Sequence, residues 1–277
     1  MAKGIGLIGN FKGKVGNTVG YKLTASNNGQ TQGIRVYQPI VKNPKSAGQA
    51  EQRAKLLAVN ATYRALKMVI DRGNEGLPYG NKSRLAWLKT ALKATQMPWF
   101  EKGTIPTYFV GCLLTKGSLN SIQNSADGSM LNISCSGATA ASDVTTIGKV
   151  SELLKSAHSF LKEGDQITLV VVNLGTDAPM VNVNSFVIDS TSKTTQSLLT
   201  AKEKELQFEA ADVIIGSAVI VSRQGDNGEH LRSTESLFIQ ESVNTVAPYD
   251  ADSKAAAIAS YRASAASNSD WAEESIQ

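Results

Sequence analysis

Residues 9–53 read GNFKGKVGNTVGYKLTASNNGQTQGIRVYQPIVKNPKSAGQAEQR, with glycine and base alternating around a few apolar residues. Phe11, Val15, Val19, Tyr21 and Leu23 on one side, and Ile34, Val36 and Ile40 on the other, alternate approximately with small or polar residues. That is the two-residue period of a strand. Residues 26–33, SNNGQTQG, hold the Asn-Gly signal of a turn, so the stretch predicts a β-hairpin. Glycines inside a strand weaken it, and their number marks a bulge or a backbone brought close to a ligand or to a neighbouring helix. Pro39 and Pro44 end the pairing. Ser46, with Gln49 three residues on, has the form of a helix N-cap.

Working outward, Ala50, Ala54, Leu57, Ala61, Ala65 and Met68 recur at helical spacing, which predicts a helix to about Asp71 with one buried stripe. The loop GNEGLPYG (73–80) breaks it. A second helix is expected from Asn81 to Thr95, with Leu85, Leu88 and Leu92 inward, Trp87 beside them, and Lys82, Arg84, Lys89 and Lys93 largely outward. Near residues 97–103, MPWFEKG, the character changes. Strands are expected at 107–114, 130–136, 166–173, 181–189, 213–223 and 234–239, with a crossover helix at 150–162 and a hairpin loop at 224–229. The fold class is therefore α+β. An N-terminal β-hairpin and helical hairpin (1–102) precede a mainly antiparallel, sandwich-like β half (103–246), and an Ala/Ser-rich acidic tail (247–277) follows. A short helix at 253–266 and an extended or loosely docked end are expected in that tail.

Charge divides the chain more sharply than its net +4 suggests. Residues 1–102 hold 17 Lys and Arg against 4 Asp and Glu, whereas the remainder holds 11 against 20. The first part is thus +13 and the second −9. Such asymmetry points to a polyanion-facing half and an acidic partner or tail.

Catalytic chemistry has little to build on. His158 and His230 stand apart from any recognisable nucleophile or metal-ligand cluster. Cys112 and Cys135 lack zinc or disulfide spacing and read as buried thiols. Glu101, Glu163 and Asp165 sit among glycines and lysines as solvated turn residues do. GIGLIG (4–9) satisfies a bare GxGxxG, yet no strand precedes it and no helix begins there. No apolar run reaches a membrane span or a signal-peptide core. The expectation is a protein without catalytic residues, metal or cofactor, placed in the cytoplasm, with a virion as the other location.

Polyanion binding has more support. The candidate nucleic-acid-binding residues are Lys12, Lys14, Tyr21, Lys22, Arg35, Tyr37, Lys42, Lys45, Arg53, Arg64, Lys67, Lys82 and Arg84. Tyr63, Tyr79, Trp87, Trp99 and Phe100 are interleaved with the later bases. Cations neutralise phosphates, and exposed rings stack unpaired bases, so this mixture suits a single strand better than a duplex. The same rings equally suit a helical core. Asp270, Glu273 and Glu274 around Trp271 give the tail a diluted acidic tip that could engage a protein partner.

The run GNFKGKVGNTVGYK (9–22), the Ile34-Arg35 strand and KNPKSAGQAEQR (42–53) resemble the N-terminal signature of an uncharacterised domain family of Bacteroidota. That signature is also similar to proteins of microviruses, the small single-stranded-DNA phages that infect them. VIIGSAVIVSRQGDNGEHLRSTESLFI (213–239) resembles the family's closing hairpin, so the likeness spans residues 1–240. It carries no catalytic residues across, and the Ala-rich tail departs from its shorter members. By association it implies handling of a single-stranded genome, and it favours ssDNA over RNA. The expected function is a non-enzymatic, single-stranded nucleic-acid-binding protein whose β half supports or oligomerises the unit. The alternative is a phage assembly or protein-interaction component whose Gly-rich hairpin adds to a partner's sheet.

Overall fold

The structure, a computed structural model, describes residues 13–15, 17–22, 32–37, 46–137, 141–173, 180–226, 228–240 and 248–263. Two units separate after Pro44. In the first, β1 (Gly13–Val15), β2 (Thr18–Lys22) and β3 (Gln32–Val36) form an antiparallel sheet in that order. The expected hairpin is its β2–β3 pair, with Tyr21 opposite Gly33 and Val19 opposite Arg35. The glycine-rich run also folds back once more, pairing Gly13 with Gly20 and Lys14 with Val19. The Asn-Gly turn and GIGLIG lie outside the described residues.

The second unit begins with α1 (Ala47–Ala65). Ser46, in an extended conformation, accepts a hydrogen bond from the Gln49 N–H at 3.3 Å. The helix stops at Leu66 (φ −104°, ψ 19°) and resumes as α2 (Lys67–Ile70). Its buried side is also rotated from the expected stripe: Ala50, Ala54, Ala58, Val59 and Thr62 are inside, while Ala65 and Met68 are exposed. Thr62 explains the rotation. Its hydroxyl donates to the Ala58 carbonyl and accepts from the Val110 N–H, both at 3.0 Å, so a polar side chain is fully satisfied in the interior. In α3 (Asn81–Ala91) the inward residues are Ser83, Trp87 and Ala91, whereas Leu85 is half-exposed. Here too a hydroxyl sets the face, because Ser83 Oγ donates to the Ile70 carbonyl at 2.8 Å and accepts from Asn74.

The described segments that follow, beside a 3-10 turn at Ala141–Val144, are mostly antiparallel strands. They are β4 (Leu113–Thr115), β5 (Asn124–Asp127), β6 (Met130–Ser134), α4 (Ile147–Ala157), β7 (Gln166–Asn173), β8 (Met180–Val187), β9 (Thr200–Lys202), β10 (Glu205–Glu209), β11 (Ile214–Gln224), β12 (His230–Arg232), β13 (Glu235–Ser236), β14 (Phe238–Ile239) and α5 (Ala251–Ala263). One sheet runs β12-β11-β7-β8 with β14 also on β11, a second runs β5-β6-β10-β9, and β13 pairs with β4. The chain is thus α+β with antiparallel sheets.

β7 and β11 form the centre and are buried on both faces, as their nearly unbroken apolar runs require. Val170, Val172, Ile215 and Ile220 belong to a cluster with Ala54, Trp87, Trp99 and Phe100, while Ile167, Leu169, Val171, Val219 and Val221 join Leu131, Leu154 and Leu206 in another. The five-stranded sheet therefore lies between the layer of α1, α2, α3 and α5 on one face and the second sheet with α4 on the other. Met97, Trp99 and Phe100 are within the first cluster, so no division falls near Lys102. Burial of those three large side chains explains why the change of composition there is not a boundary.

The short helix expected in the C-terminal segment is present as α5. α5 packs on α1 with Ala257 fully buried, Lys254 Nζ lies 3.3 Å from Glu51, and the Tyr249 hydroxyl donates to the Phe109 carbonyl at 2.7 Å. Residues 264–277, with Asp270, Trp271, Glu273 and Glu274, lie outside the described residues. Asp165 also departs from the sequence reading. It is fully buried rather than solvated, whereas Glu163 is exposed and pairs with Lys155.

Candidate nucleic-acid interface

The second unit's helical layer concentrates charge of one sign. Residues 46–95 contain nine cations and only Glu51, Asp71 and Glu75 as acids. Each acid is already engaged. Glu51 is paired with Lys55 at 2.9 Å and with Lys254, and Lys55, assisted by Lys254, holds its carboxyl below the ordinary range against the effect of burial. Asp71 Oδ1 accepts the Tyr63 hydroxyl at 2.9 Å; burial first, and this bond second, push the Tyr63 phenol up. Glu75 accepts from the Ser118 N–H at 2.8 Å, from the Ser118 hydroxyl and from the Arg232 N–H at 3.1 Å. Burial raises its pKa, but those hydrogen bonds outweigh it and leave the carboxyl low.

The consequence is uncompensated positive charge. Among the described residues, Arg53, Arg64, Lys67, Arg72, Lys82, Arg84, Lys89 and Lys93 have no carboxylate partner. Arg64, Lys67, Arg72, Lys82, Lys89 and Lys93 are exposed, and Arg53 and Arg84 are half-buried. The chain reversal from α2 to α3 gathers several of them. Gly80 donates its N–H to the Asp71 carbonyl and accepts from the Arg84 N–H, tying the start of α3 to the end of α2. Arg84 then covers the Tyr63 ring at 4.6 Å, and Arg72 covers Tyr79 at 5.6 Å.

The aromatic residues divide. Trp87, Trp99 and Phe100 are core side chains, no more than 9% exposed, and Tyr63 is held by Asp71 and Arg84. Tyr79 is 49% exposed, with the His230 ring 5.5 Å away. Sequence spacing could not separate them, because all five lie among bases and apolar residues alike. Sequence reasoning names Tyr79 only as one of the interleaved rings and leaves out the Arg72 and His230 side chains that flank it. The GNEGLPYG loop was the available signal, since a ring beside Gly80 and Pro78 cannot join a helical stripe.

The remaining candidates are in the first unit or outside the described residues. Lys14, Tyr21, Lys22 and Arg35 occupy its strands, and the register places Lys14, Val19 and Arg35 in one cross-strand row. Tyr37, half-buried, donates its N–H to the Asn17 carbonyl. Lys12, Lys42 and Lys45 lie outside the described residues.

A cavity of about 460 Å³ opens beside α3, lined by Asn74, Glu75, Leu77, Trp87, Thr90 and Lys116 among others. Its polar groups serve the fold: Asn74 Nδ2 donates to Ser83, and Glu75 is held as described. Both thiols are buried, and burial pushes Cys112 up to about 12, with the Trp87 indole opposing it. His158 Nε2 is 2.9 Å from the Ser134 carbonyl. Among the described residues, no helix is long and apolar enough to cross a membrane, and no three His, Cys, Asp or Glu side chains group to hold a metal.

Compared with protein-family models, curated proteins and solved structures, the chain matches none.

Proposed function

We propose that the chain is a non-enzymatic protein that binds single-stranded nucleic acid through the cationic face of α1–α3, with ssDNA preferred. One observation carries this reading: among the described residues, eight cations on one helical layer lack carboxylate partners because the layer's three acids are already engaged. Charge left uncompensated on a folded surface costs self-repulsion, which a polyanion relieves while releasing its own counterions. Tyr79, half-exposed beside Arg72, supplies a ring on which an unpaired base can stack. The strands of the first unit add Lys14, Lys22 and Arg35 to the positive charge of the chain. The preference for ssDNA, and placement in the host cytoplasm of a phage, rest on the resemblance of residues 9–53 to microvirus-associated proteins.

Fluorescence anisotropy with a labelled single strand, the matching duplex and RNA, each at two salt concentrations, tests the proposal. The expected order is ssDNA before RNA and duplex, with affinity falling as salt rises. Equal binding to all three, or affinity indifferent to salt, would sink it.

A further inference from the structure

β8 is an outer strand of unusual character within this fold. All eight of its residues pair with β7, from Met180 opposite Asn173 to Val187 opposite Gln166, and among the described residues no strand lies on its other side. An antiparallel ladder leaves every second N–H and C=O of an outer strand turned outward, a ready template for another strand. Proteins blunt such edges by shortening or charging them. The other outer strands of the two large sheets follow that rule: β12 is three residues with His230 and Arg232, β9 is three residues with Lys202, and β5 is four residues ending in Asp127. β8, MVNVNSFV, has no charge and no proline along eight residues. Met180, Val183 and Val187 are 54%, 42% and 49% exposed.

We propose that β8 is a self-association edge, pairing antiparallel with β8 of a second copy so that the five-stranded sheet continues across both molecules. The occupant follows from the strand's neutrality. A charged partner segment would find no countercharge along it, while self-pairing sets no like charges opposite one another. A two-fold axis perpendicular to the sheet keeps each face continuous and therefore pairs residues of equal parity. Val183 then meets either Val183 or Ser185 of the second copy, and the half-exposed valines form one apolar row. The edge is only ~27 Å long at strand rise. That buries less than the roughly 1,200–2,000 Å² of a stable interface, so the dimer is reversible and concentration-dependent.

Sedimentation equilibrium of the full chain without nucleic acid, from about 1 µM to about 1 mM, spans the range expected for a contact of this size. The average mass should rise from 29.4 kDa towards twice that value, and added salt should not reverse it. Val183→Lys should weaken dimerisation at least ~10-fold, because it sets a cation from each copy into the apolar row, directly opposite one another in the first register and diagonally adjacent in the second. Met68→Lys, on the helical layer, should leave it unchanged. Amide hydrogen exchange on the unmodified chain should show β8 protection growing with concentration, which keeps the test valid if V183K folds poorly. A constant mass of 29.4 kDa across the range overturns the proposal. Association without concentration-dependent protection in β8, or association weakened by M68K and not by V183K, overturns it equally.

Discussion

Asp165 and Arg223 lock the start of β7 to the end of β11. Arg223 donates through Nε and Nη2 to the two Asp165 carboxylate oxygens at 2.6 and 2.7 Å, and gives a further Nη2 bond to the Phe160 carbonyl. Asp165 is fully buried, and its Oδ2 also accepts the Lys162 N–H at 2.8 Å. Removing one member of such a pair strands the other's charge and donors. Asp165→Ala should therefore cost ~3–5 kcal/mol in urea unfolding. A loss below about 1 kcal/mol, the range of an exposed ion pair, would show that the bond contributes no more than a surface contact.

Glu235 should make stability fall as pH rises. It is buried beside β4, its Oε1 lacks a hydrogen-bond partner among the described residues, and burial pushes its carboxyl up despite Ser121 and Ser233. The native state therefore favours the protonated form more than the unfolded chain does. Stability from this group is complete below the unfolded pKa and is lost as pH climbs through the native one. Glu235→Gln should remove that decline, and thermal unfolding of both proteins from acid to neutral pH would reveal it. Parallel curves would show that Glu235 ionises without penalty.

Two glycines should respond to alanine with opposite signs. A Cβ at Gly73 would lie 2.5 Å from the Leu114 carbonyl oxygen, and the Gly73 carbonyl itself accepts from the Lys116 N–H at 2.8 Å. Neither backbone can retreat without disturbing β4, so Gly73→Ala should lose ~1–3 kcal/mol. Gly48 lies in the first turn of α1 with nothing within 4 Å of its Cβ position. Gly48→Ala should gain up to about 1 kcal/mol from helix propensity. Denaturant midpoints moving in the same direction would contradict this.

Aromatic substitutions should separate binding from folding. Tyr79→Ala should weaken ssDNA binding by ~1–3 kcal/mol, the scale of one stacked base, with little change in thermal stability. Trp87→Ala should cost ~3–5 kcal/mol of stability because it empties a core site 2% exposed. If Trp87→Phe, which keeps most of that volume, reduced affinity more than Tyr79→Ala, the assignment of Tyr79 as the stacking ring would fail.

The salt dependence should follow the cations at the α2–α3 reversal. Lys67, Lys82 and Arg84, all changed to Gln, remove three candidate phosphate contacts. The slope of log K against log salt should become shallower by about 2, at ~0.7 per contact on a single strand. An unchanged slope in a folded variant would place the phosphates elsewhere.

Much of the architecture was determined locally. Gln166–Asn173 is a strand with the predicted bounds, Ser46 caps its helix, and the unbroken apolar runs of β7 and β11 require burial on both faces. Charge segregation was equally plain from residue counts. What local pattern could not fix was which side of each helix faced inward. Thr62 and Ser83 are interior because their hydroxyls meet carbonyls and N–H groups brought from other parts of the chain, and that places Met68 and Leu85 at the surface. Asp165 was read as a turn residue because its partner is 58 positions away. That β8 is outermost among the described strands could not be read at all, since sheet order does not depend on any strand's own sequence. Sequence thus determined the elements and the sign of the charge. Tertiary structure alone decided which polar groups are satisfied by distant partners, and therefore which cations, rings and strand edges are left for something else to meet.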